Sequence, residues 1–171
     1  MAIDVEVKRA DISQKPVIFN LLQIYLHTFA ALAGPDSPDW RFNALGQYEY
    51  PDIGPYWTRK GWHPYLIYAA ENLAGFALVN DASATGRPVD FFLQEFFVGG
   101  KYKRRGVGRE AARKIFEHHR GQWELGTVPG NVAAVAFWKK VLKGPEFKER
   151  EELAGDGKIW PAKGAIFRFS T

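Results

Sequence analysis

The chain has 171 residues, of which 46% are apolar and 25% are charged, an ordinary globular balance at a length that suits one domain. It contains no cysteine, which excludes a disulfide scaffold, a thiolate metal site and a cysteine nucleophile. The formal net charge is +4; this excess is small and concentrated in one loop, so we expect no nucleic-acid partner and keep nucleic-acid binding as a minor alternative. We predict a single domain over residues 1–171.

The N-terminal third predicts a strand followed by a long helix. Residues 4–9 alternate in polarity, which indicates a first strand, and no signal-peptide pattern is present, so we expect a cytoplasmic protein. Apolar residues then recur at helical spacing from Ile18 to Leu32, with Ser13 as the expected cap and Gly34 at the end. Polar residues interrupt this run, so we predict a buried amphipathic helix that does not span a membrane.

The next segment, residues 35–62, has no clear periodicity beyond one short helix, and it mixes acidic side chains with aromatic rings. Carboxylates and rings together suit a cationic amine, through charge pairing and cation–π contact. Alternatively, the rings cover the core and the acids face water, and both interpretations stay open. The acids are Asp36, Asp39, Glu49 and Asp52, and the rings include Trp40, Tyr48, Tyr50, Tyr56, Trp57 and Trp62.

The remaining elements predict an α/β fold with a mixed sheet. Residues 65–70 and 73–80 form a predicted hairpin, and residues 89–98 a long strand. A helical pattern follows to about His119, and residues 122–127 are the next strand. Because a helix joins these last two strands, we predict that they pair in parallel.

The C-terminal part predicts one more helix and a closing hairpin. Asn131 is the expected cap of a helix that reaches about Leu142. Two strands follow, over residues 146–153 and 158–169, around a Gly-Asp-Gly turn. Four histidines are scattered along the chain without metal-ligand spacing, so we expect no metal site.

A basic loop with glycines lies between the long strand and its helix, with the sequence Gly99-Gly100-Lys101-Tyr102-Lys103-Arg104-Arg105-Gly106-Val107-Gly108. The first N–H groups of a helix have no internal partner and carry partial positive charge, so they bind anions. Glycine lets an anion approach the backbone closely. The loop therefore predicts a site for a phosphorylated cofactor; the alternative is an ordinary turn that enters a basic surface helix.

Two segments resemble the GNAT family, the Gcn5-related N-acetyltransferases. The family's first motif is Arg/Gln-x-x-Gly-x-Gly/Ala, and the chain has Lys103-Arg104-Arg105-Gly106-Val107-Gly108. The second motif has Asn, then Ala, an apolar residue and usually Tyr, and the chain has Asn131, Ala134, Phe137 and Trp138. Lys103 keeps the charge of the usual Arg but loses its fork geometry. Trp138 replaces the usual Tyr and so removes a proton donor.

The resemblance implies a GNAT-like, mostly antiparallel sheet of about six or seven strands, with a splayed parallel pair and helices on both faces. It implies acetyl-CoA, or another acyl-CoA, as co-substrate, and direct transfer to an amine of a small molecule or peptide. A homodimer is left open, and we expect no membrane partner. The implied cofactor contacts are Phe96, Phe97, Val98, Lys103, Arg104, Arg105, Gly106, Val107, Gly108, Arg109, Asn131, Ala134, Phe137 and Trp138.

Acetyl transfer to an amine requires a base, because an alkylamine of pKa near 10.4 is only about 0.1% neutral at neutral pH. Glu95 and Glu124 are the candidates, since each is a carboxylate in an otherwise apolar strand. Alternation predicts that Glu95 shares a face with Leu93 and Phe97. The alternative for both acids is a structural ion pair with an arginine on a covering helix.

Two other classes of protein stay open. Trp138 makes a non-catalytic acyl-CoA-binding module credible, with the indole packed under the cofactor. Gly106, Gly108 and Ala111 also fit a dinucleotide fingerprint, with Glu124 as the ribose-binding acid. That fold needs its first glycine at the strand-to-helix turn, and seven residues separate Val98 from Gly106. We therefore rank a dinucleotide-binding protein last.

Overall fold

The computed structural model describes residues 3–37 and 40–171. Within them the chain forms seven strands and four α-helices, in the order β1 (Val5–Arg9), α1 (Lys15–Ala33), α2 (Pro55–Thr58), β2 (His63–Ala69), β3 (Asn72–Asn80), β4 (Phe91–Val98), α3 (Val107–His118), β5 (Gln122–Gly126), α4 (Val132–Val141), β6 (Lys148–Ala154) and β7 (Ala165–Ser170). The strands form one sheet in the order β1-β2-β3-β4-β5-β7-β6. β4 and β5 pair in parallel and the other described pairs are antiparallel, which confirms the predicted mixed α/β fold.

Helices cover both faces of the sheet. Phe76 and Leu78 of β3 pack in a cluster with buried residues of α1, whereas Ala77 and Val79 pack in a cluster with buried residues of α3 and α4. Neighbouring residues of a strand point to opposite faces, so α1 lies on one face and α3 and α4 lie on the other. The sheet is thereby buried on both sides around β3 and β4.

The start of α1 differs from its prediction. A 3₁₀ turn, Ile12–Gln14, precedes the helix and is capped by Asp11, whereas the N-cap of α1 itself is Gln14, which makes no side-chain cap bond; Ser13 caps neither. The Asp11 carboxylate accepts from the Ser13 N–H at 2.9 Å, and the Gln14 side chain accepts from the Asp11 N–H at 2.9 Å. An acid followed by Gln three positions later is a capping-box pattern, and this pair of side chains satisfies donors that a serine at 13 would leave open.

Among the described residues, one helical segment, Ile12–Ala33, is long and apolar enough to cross a membrane, with a mean hydropathy of 1.4. Length and composition alone are weak evidence, because core helices of soluble proteins pass the same test. Ile18, Leu22, Leu26 and Phe29 are buried against the sheet. This spacing and burial fit the predicted amphipathic helix.

The closing hairpin begins its second strand later than predicted. β7 starts at Ala165, because residues 158–164 form a loop that returns over the end of β5. The indole N–H of Trp160 donates to the Thr127 carbonyl at 3.1 Å, and the Asp156 carboxylate accepts from the N–H groups of Lys158 and Ile159. These bonds place Trp160 beside the carboxyl end of β5.

Side chains along β4 alternate between the two faces of the sheet, and this alternation is interrupted at Gln94. Leu93 pairs with Val79 and Glu95 pairs with Leu78, so Gln94 is an extra residue, a β-bulge. Leu93 packs in the cluster under α3 and α4, whereas Phe97 packs in the α1 cluster. Glu95 is therefore on the α1 face with Phe97. The prediction that it also shares a face with Leu93 is wrong, because one inserted residue inverts the alternation.

Candidate active site

The parallel strands part beyond their first three pairs. Phe91, Phe92 and Leu93 of β4 pair with Trp123, Glu124 and Leu125 of β5. β4 continues on β3 to Val98, whereas β5 ends at Gly126. In the part of the chain that the structure describes, residues 94–98 pair with no strand on the side away from β3. The sheet therefore splays here, as the family resemblance implied, and leaves backbone N–H and C=O groups unpaired at its centre.

A cleft of about 160 Å³ fills the space between the parted strands. Residues from both covering layers line it, so the cleft extends through the sheet. Its walls are Tyr25, Leu26, Phe29, Trp40 and Tyr50 on the α1 side; Asn131, Ala134 and Trp138 on the α4 side; and residues 93–96, 125–128 and Trp160 from the strands and the last loop.

The basic loop lies directly beyond the end of β4. Gly106 is the N-cap of α3 in the left-handed conformation, with φ of 85°, which favours glycine. No side chain caps the helix, so the N–H groups that open α3 are without a side-chain partner. Lys103, Arg104, Arg105 and Arg109 are exposed, and none of them has an ion-pair partner within the described residues. The loop therefore presents positive charge to solvent.

The second glycine and the second motif position α4 against this loop. A Cβ at Gly108 would meet the Phe137 ring at 3.3 Å, so the missing side chain lets α3 and α4 approach closely. Phe137 in turn stacks on Phe96, with ring centroids 6.0 Å apart. Asn131 caps α4 by accepting from the Ala134 N–H at 3.1 Å, as predicted, and this bond uses only its side-chain oxygen.

The side chains of several residues that were predicted to contact the cofactor pack against other side chains. Phe97, Val98 and Val107 are buried in the core, so only their backbone groups can reach a ligand. Trp138 is 5% exposed and packs edge-on against Phe96, with centroids 5.2 Å apart, while one edge reaches the cleft. The indole thus forms a wall of the cleft and supplies no acidic proton.

Glu95 stands in the cleft as a half-buried carboxyl. The Tyr50 hydroxyl donates to its Oε1 at 2.8 Å. Burial raises the pKa of Glu95 to about 7, although hydrogen bonds from Tyr50, Tyr25 and Gln94 act in the opposite direction. Burial also raises the pKa of Tyr50, which keeps its hydroxyl protonated. A carboxyl that titrates near neutral pH is suited to accept a proton in catalysis.

Glu124 has different surroundings, although it lies in the neighbouring strand. It is fully buried and accepts from Arg168 Nη1 at 2.5 Å, Thr85 Oγ1 at 2.6 Å and the Ala84 N–H at 2.8 Å. Burial alone would raise the pKa of Glu124, but these and a bond from Ser83 outweigh it, so its pKa is lowered. The ion pair is with β7, not with a covering helix, and it ties the 81–87 loop to the sheet.

The segment at residues 35–62 contributes rings to the cleft and keeps its described acids outside it. Asp36, Glu49 and Asp52 are exposed, and Asp52 pairs with Lys15 at 2.8 Å. Asp39 lies outside the described residues. The rings of Trp40 and Tyr50 line the cleft, whereas the other named rings are anchored elsewhere: Tyr48 to His27, Tyr56 to Asn80, Trp57 to Ala10 and Trp62 to Asp81.

Sequence reasoning missed several lining residues. Tyr25 and Phe29 belong to the apolar stripe of α1 and carry no signal beyond core packing, and Trp160 sits in what was predicted to be a strand. Within residues 3–37 and 40–171, no group of three or more His, Asp or Glu side chains is placed to hold a metal ion.

The chain is similar in fold to several solved structures of acetyltransferases. An acetyltransferase from Thermus thermophilus superposes with a TM-score of 0.66 at 13% identity, over 100% of both chains. A chimera of spermidine N-acetyltransferase from Vibrio cholerae and hSSAT gives 0.56 at 12% identity, over 96% of this chain and 93% of that one. Arabidopsis thaliana Naa50, in complex with the bisubstrate analogue CoA-Ac-MVNAL, gives 0.51 at 12%, over 98% of both.

The sheet with one parting parallel pair is thus the fold that these three structures share. A family model described as the acetyltransferase (GNAT) family matches residues 26–143, which is more than half of the chain. The chain belongs to the GNAT family, and the resemblance of its two motifs is confirmed. Among curated protein sequences, none matches it.

Proposed function

We propose that this protein transfers an acetyl group from acetyl-CoA, or a related acyl-CoA, directly to an amine. The observation that carries the proposal is the cleft between β4 and β5. Unpaired backbone groups of residues 94–96, the Asn131 side chain and the carboxyl of Glu95 meet in it, and the basic loop follows β4 without interruption. These parts match the needs of a thioester donor with a diphosphate and of an amine that must lose a proton.

The residues of the loop fit a diphosphate. N–H groups at the start of α3 and the exposed Lys103, Arg104 and Arg109 would hold its negative charge. The free edge of residues 94–98 would pair with the amide-bearing arm of the coenzyme, as a strand edge pairs with an added strand. Asn131 keeps its side-chain NH₂ free to donate to that arm, because the cap uses only its oxygen.

Glu95 is our candidate base. It would take a proton from the acceptor ammonium, and the neutral nitrogen would form a bond to the thioester carbonyl. The carbon–sulfur bond would then break to release the coenzyme A thiolate, and the nitrogen would lose its second proton to this thiolate, which leaves a neutral amide and the free thiol. A thiolate of pKa about 8.5 is already a fair leaving group, so Trp138 in place of a proton donor leaves this chemistry intact. The hydrogen bonds to Glu124 and its lowered pKa favour a structural role for that acid.

Reversing the charge of the basic loop should weaken coenzyme binding. We expect Lys103→Glu together with Arg104→Glu to raise the Kd for acetyl-CoA at least about tenfold, since each lost charge-assisted bond costs roughly 1.5–3 kcal/mol. The difference should shrink as salt is added. Lys148→Glu on the exposed strand β6 is the control, because it also reverses a positive charge. This variant should bind acetyl-CoA like the wild type. Equal Kd values for all three proteins would contradict the assignment of the loop.

Thiol release from acetyl-CoA in the presence of primary amines tests the proposed function. We expect release that depends on both the protein and an amine. A rise in melting temperature with coenzyme A but no release with any amine would favour the alternative, a non-catalytic acyl-CoA-binding module, because ligand binding alone stabilises a fold. A rise with NAD and none with coenzyme A would favour a dinucleotide-binding protein instead.

A further inference from the structure

We propose that the acceptor is a compact amine with one positive charge and an apolar, preferably aromatic, body. This inference rests on the proposed acetyl transfer and adds the class of acceptor to it. Four features of the cleft carry it: the face from which Glu95 is reached, the charge of the lining, its aromatic character and its volume.

The β-bulge at Gln94 decides the direction from which the amine arrives. Because of it, Glu95 points to the α1 face of the sheet, while Phe96 packs toward α4. The α4 side, with Asn131 and Ala134, is where the arm of the acyl donor would lie. The amine must therefore reach the carboxyl from the α1 side, where the walls are Tyr25, Phe29, Trp40 and Tyr50.

Among residues 3–37 and 40–171, the lining supplies one carboxylate. Of the described residues around the cleft, Glu95 is the only acid. Glu124 lies outside this lining and is engaged with Arg168. Asp52 is exposed and paired with Lys15. A polyamine or an aminoglycoside would bring two or more charges, and a second charge buried without a partner is costly. The one negative charge of Glu95 balances the charge of a single ammonium.

The wall beside the carboxylate, on the α1 side, is aromatic and continuous. Tyr25 and Phe29 meet edge to face with centroids 4.6 Å apart, and Phe29 and Trp40 are 5.5 Å apart. Trp40 has φ of 64°, a left-handed conformation that a bulky residue rarely adopts, and its ring reaches this wall. Rings of this kind bind apolar bodies by burial and a cation by its attraction to the ring face.

The volume of the cleft favours a small acceptor. The cleft measures about 160 Å³, whereas pockets for drug-sized ligands have about 300–1,000 Å³. The acetyl group and the amine must share this space. A compact body therefore fits better than an aminoglycoside or an extended peptide.

A matched pair of amines tests the charge rule. Hexylamine and 1,6-diaminohexane have the same length and differ by one terminal ammonium. We expect kcat/KM for hexylamine and for 2-phenylethylamine to exceed that for 1,6-diaminohexane and spermidine at least tenfold, even though a diamine offers two reactive ends. A preference for the diamine, for spermidine or for a peptide α-amine would overturn the inference and leave the proposed acetyl transfer standing.

Substitutions in the segment at residues 35–62 test whether the Trp40 ring binds the apolar body of the amine. Trp40→Ala should raise KM for 2-phenylethylamine at least fivefold and change kcat less than twofold, since the ring binds the body and leaves the reacting atoms alone. Phe42→Ala is the control, because Phe42 is 62% exposed and lies outside the cleft lining. Equal KM values for wild type and Trp40→Ala would place the aromatic body elsewhere and overturn the inference.

A binding measurement separates this inference from the proposed function. Calorimetric titration of 2-phenylethylamine and of 1,6-diaminohexane into the complex with coenzyme A needs no turnover. Tighter binding of 2-phenylethylamine supports the acceptor class even if no thiol is released, in which case only the proposed reaction fails. Equal binding of the two amines, or no binding of either, overturns the inference.

Discussion

Replacing Glu95 with Gln is expected to lower kcat about 10²–10⁴-fold, the usual contribution of a general base. Gln keeps the size of the side chain and can still accept from the Tyr50 hydroxyl, so the cleft should keep its shape and the Kd for acetyl-CoA should stay near that of the wild type. In the wild type, kcat should rise with pH through about 7, the raised pKa of Glu95. The variant should lose this rise.

The same substitution should stabilise the protein at alkaline pH. The folded-state pKa of Glu95, about 7, lies above the ordinary value of 4.5, so the folded state holds the proton over a range in which the unfolded state has lost it. Wild-type stability therefore falls as pH rises from about 4.5 to 7 on account of this group. Each pKa unit corresponds to about 1.4 kcal/mol, so Glu95→Gln should gain at most about 3.5 kcal/mol in the free energy of unfolding at pH 8 and little at pH 4.

Denaturant unfolding at the two pH values, with kcat measured beside it, checks both effects. We expect the variant to lose activity and to gain stability at alkaline pH. This combination is typical of an acid that lowers the free energy of unfolding but is needed for function. Wild-type kcat in the variant would remove Glu95 from the reaction. An unchanged pH dependence of stability would show that its pKa is ordinary.

Glu124→Gln should have the opposite signature, a large loss of stability. Gln cannot neutralise Arg168, which is 8% exposed and would keep its charge in the interior. Removing one partner of a buried ion pair typically costs about 3–5 kcal/mol. The bonds from Ser83 and Thr85 would also lose their charged acceptor, which loosens the 81–87 loop.

The melting temperature and the kcat of the folded fraction measure this prediction. The double variant Glu124→Gln with Arg168→Gln should recover part of the stability, because it removes the unpaired charge as well. A Glu124→Gln protein that melts like the wild type but has lost turnover would contradict the structural role and return Glu124 to the candidates for the base.

The pattern of the sequence predicted well, for physical reasons, the elements at the loop before α3 and on the α4 side of the cleft. The glycine loop predicted a helix start, and α3 begins directly after Gly106; Asn131 was the expected cap of α4, and its side chain caps that helix. Parallel pairing of β4 and β5 followed from the helix that joins them. These are local features, encoded by residue type and spacing within a few positions.

The α1 side of the cleft could not be predicted in the same way. Its wall joins α1, the segment around Trp40 and the loop around Trp160, which are distant in the chain. The bulge at Gln94 inverts the face of Glu95, and period-two alternation contains no mark of an inserted residue. Glu95 and Glu124 look alike in sequence, and only their tertiary contacts, with Tyr50 in one case and Arg168 in the other, distinguish them.

Titration calorimetry of the wild-type protein with coenzyme A, acetyl-CoA and NAD tests most directly whether the parted strands and the loop before α3 form an acyl-CoA site. We predict saturable heat with both coenzyme A species, a Kd that rises with salt because phosphates are held by charge, and no heat with NAD. Absence of heat with coenzyme A and acetyl-CoA, or binding of NAD in their place, would contradict it.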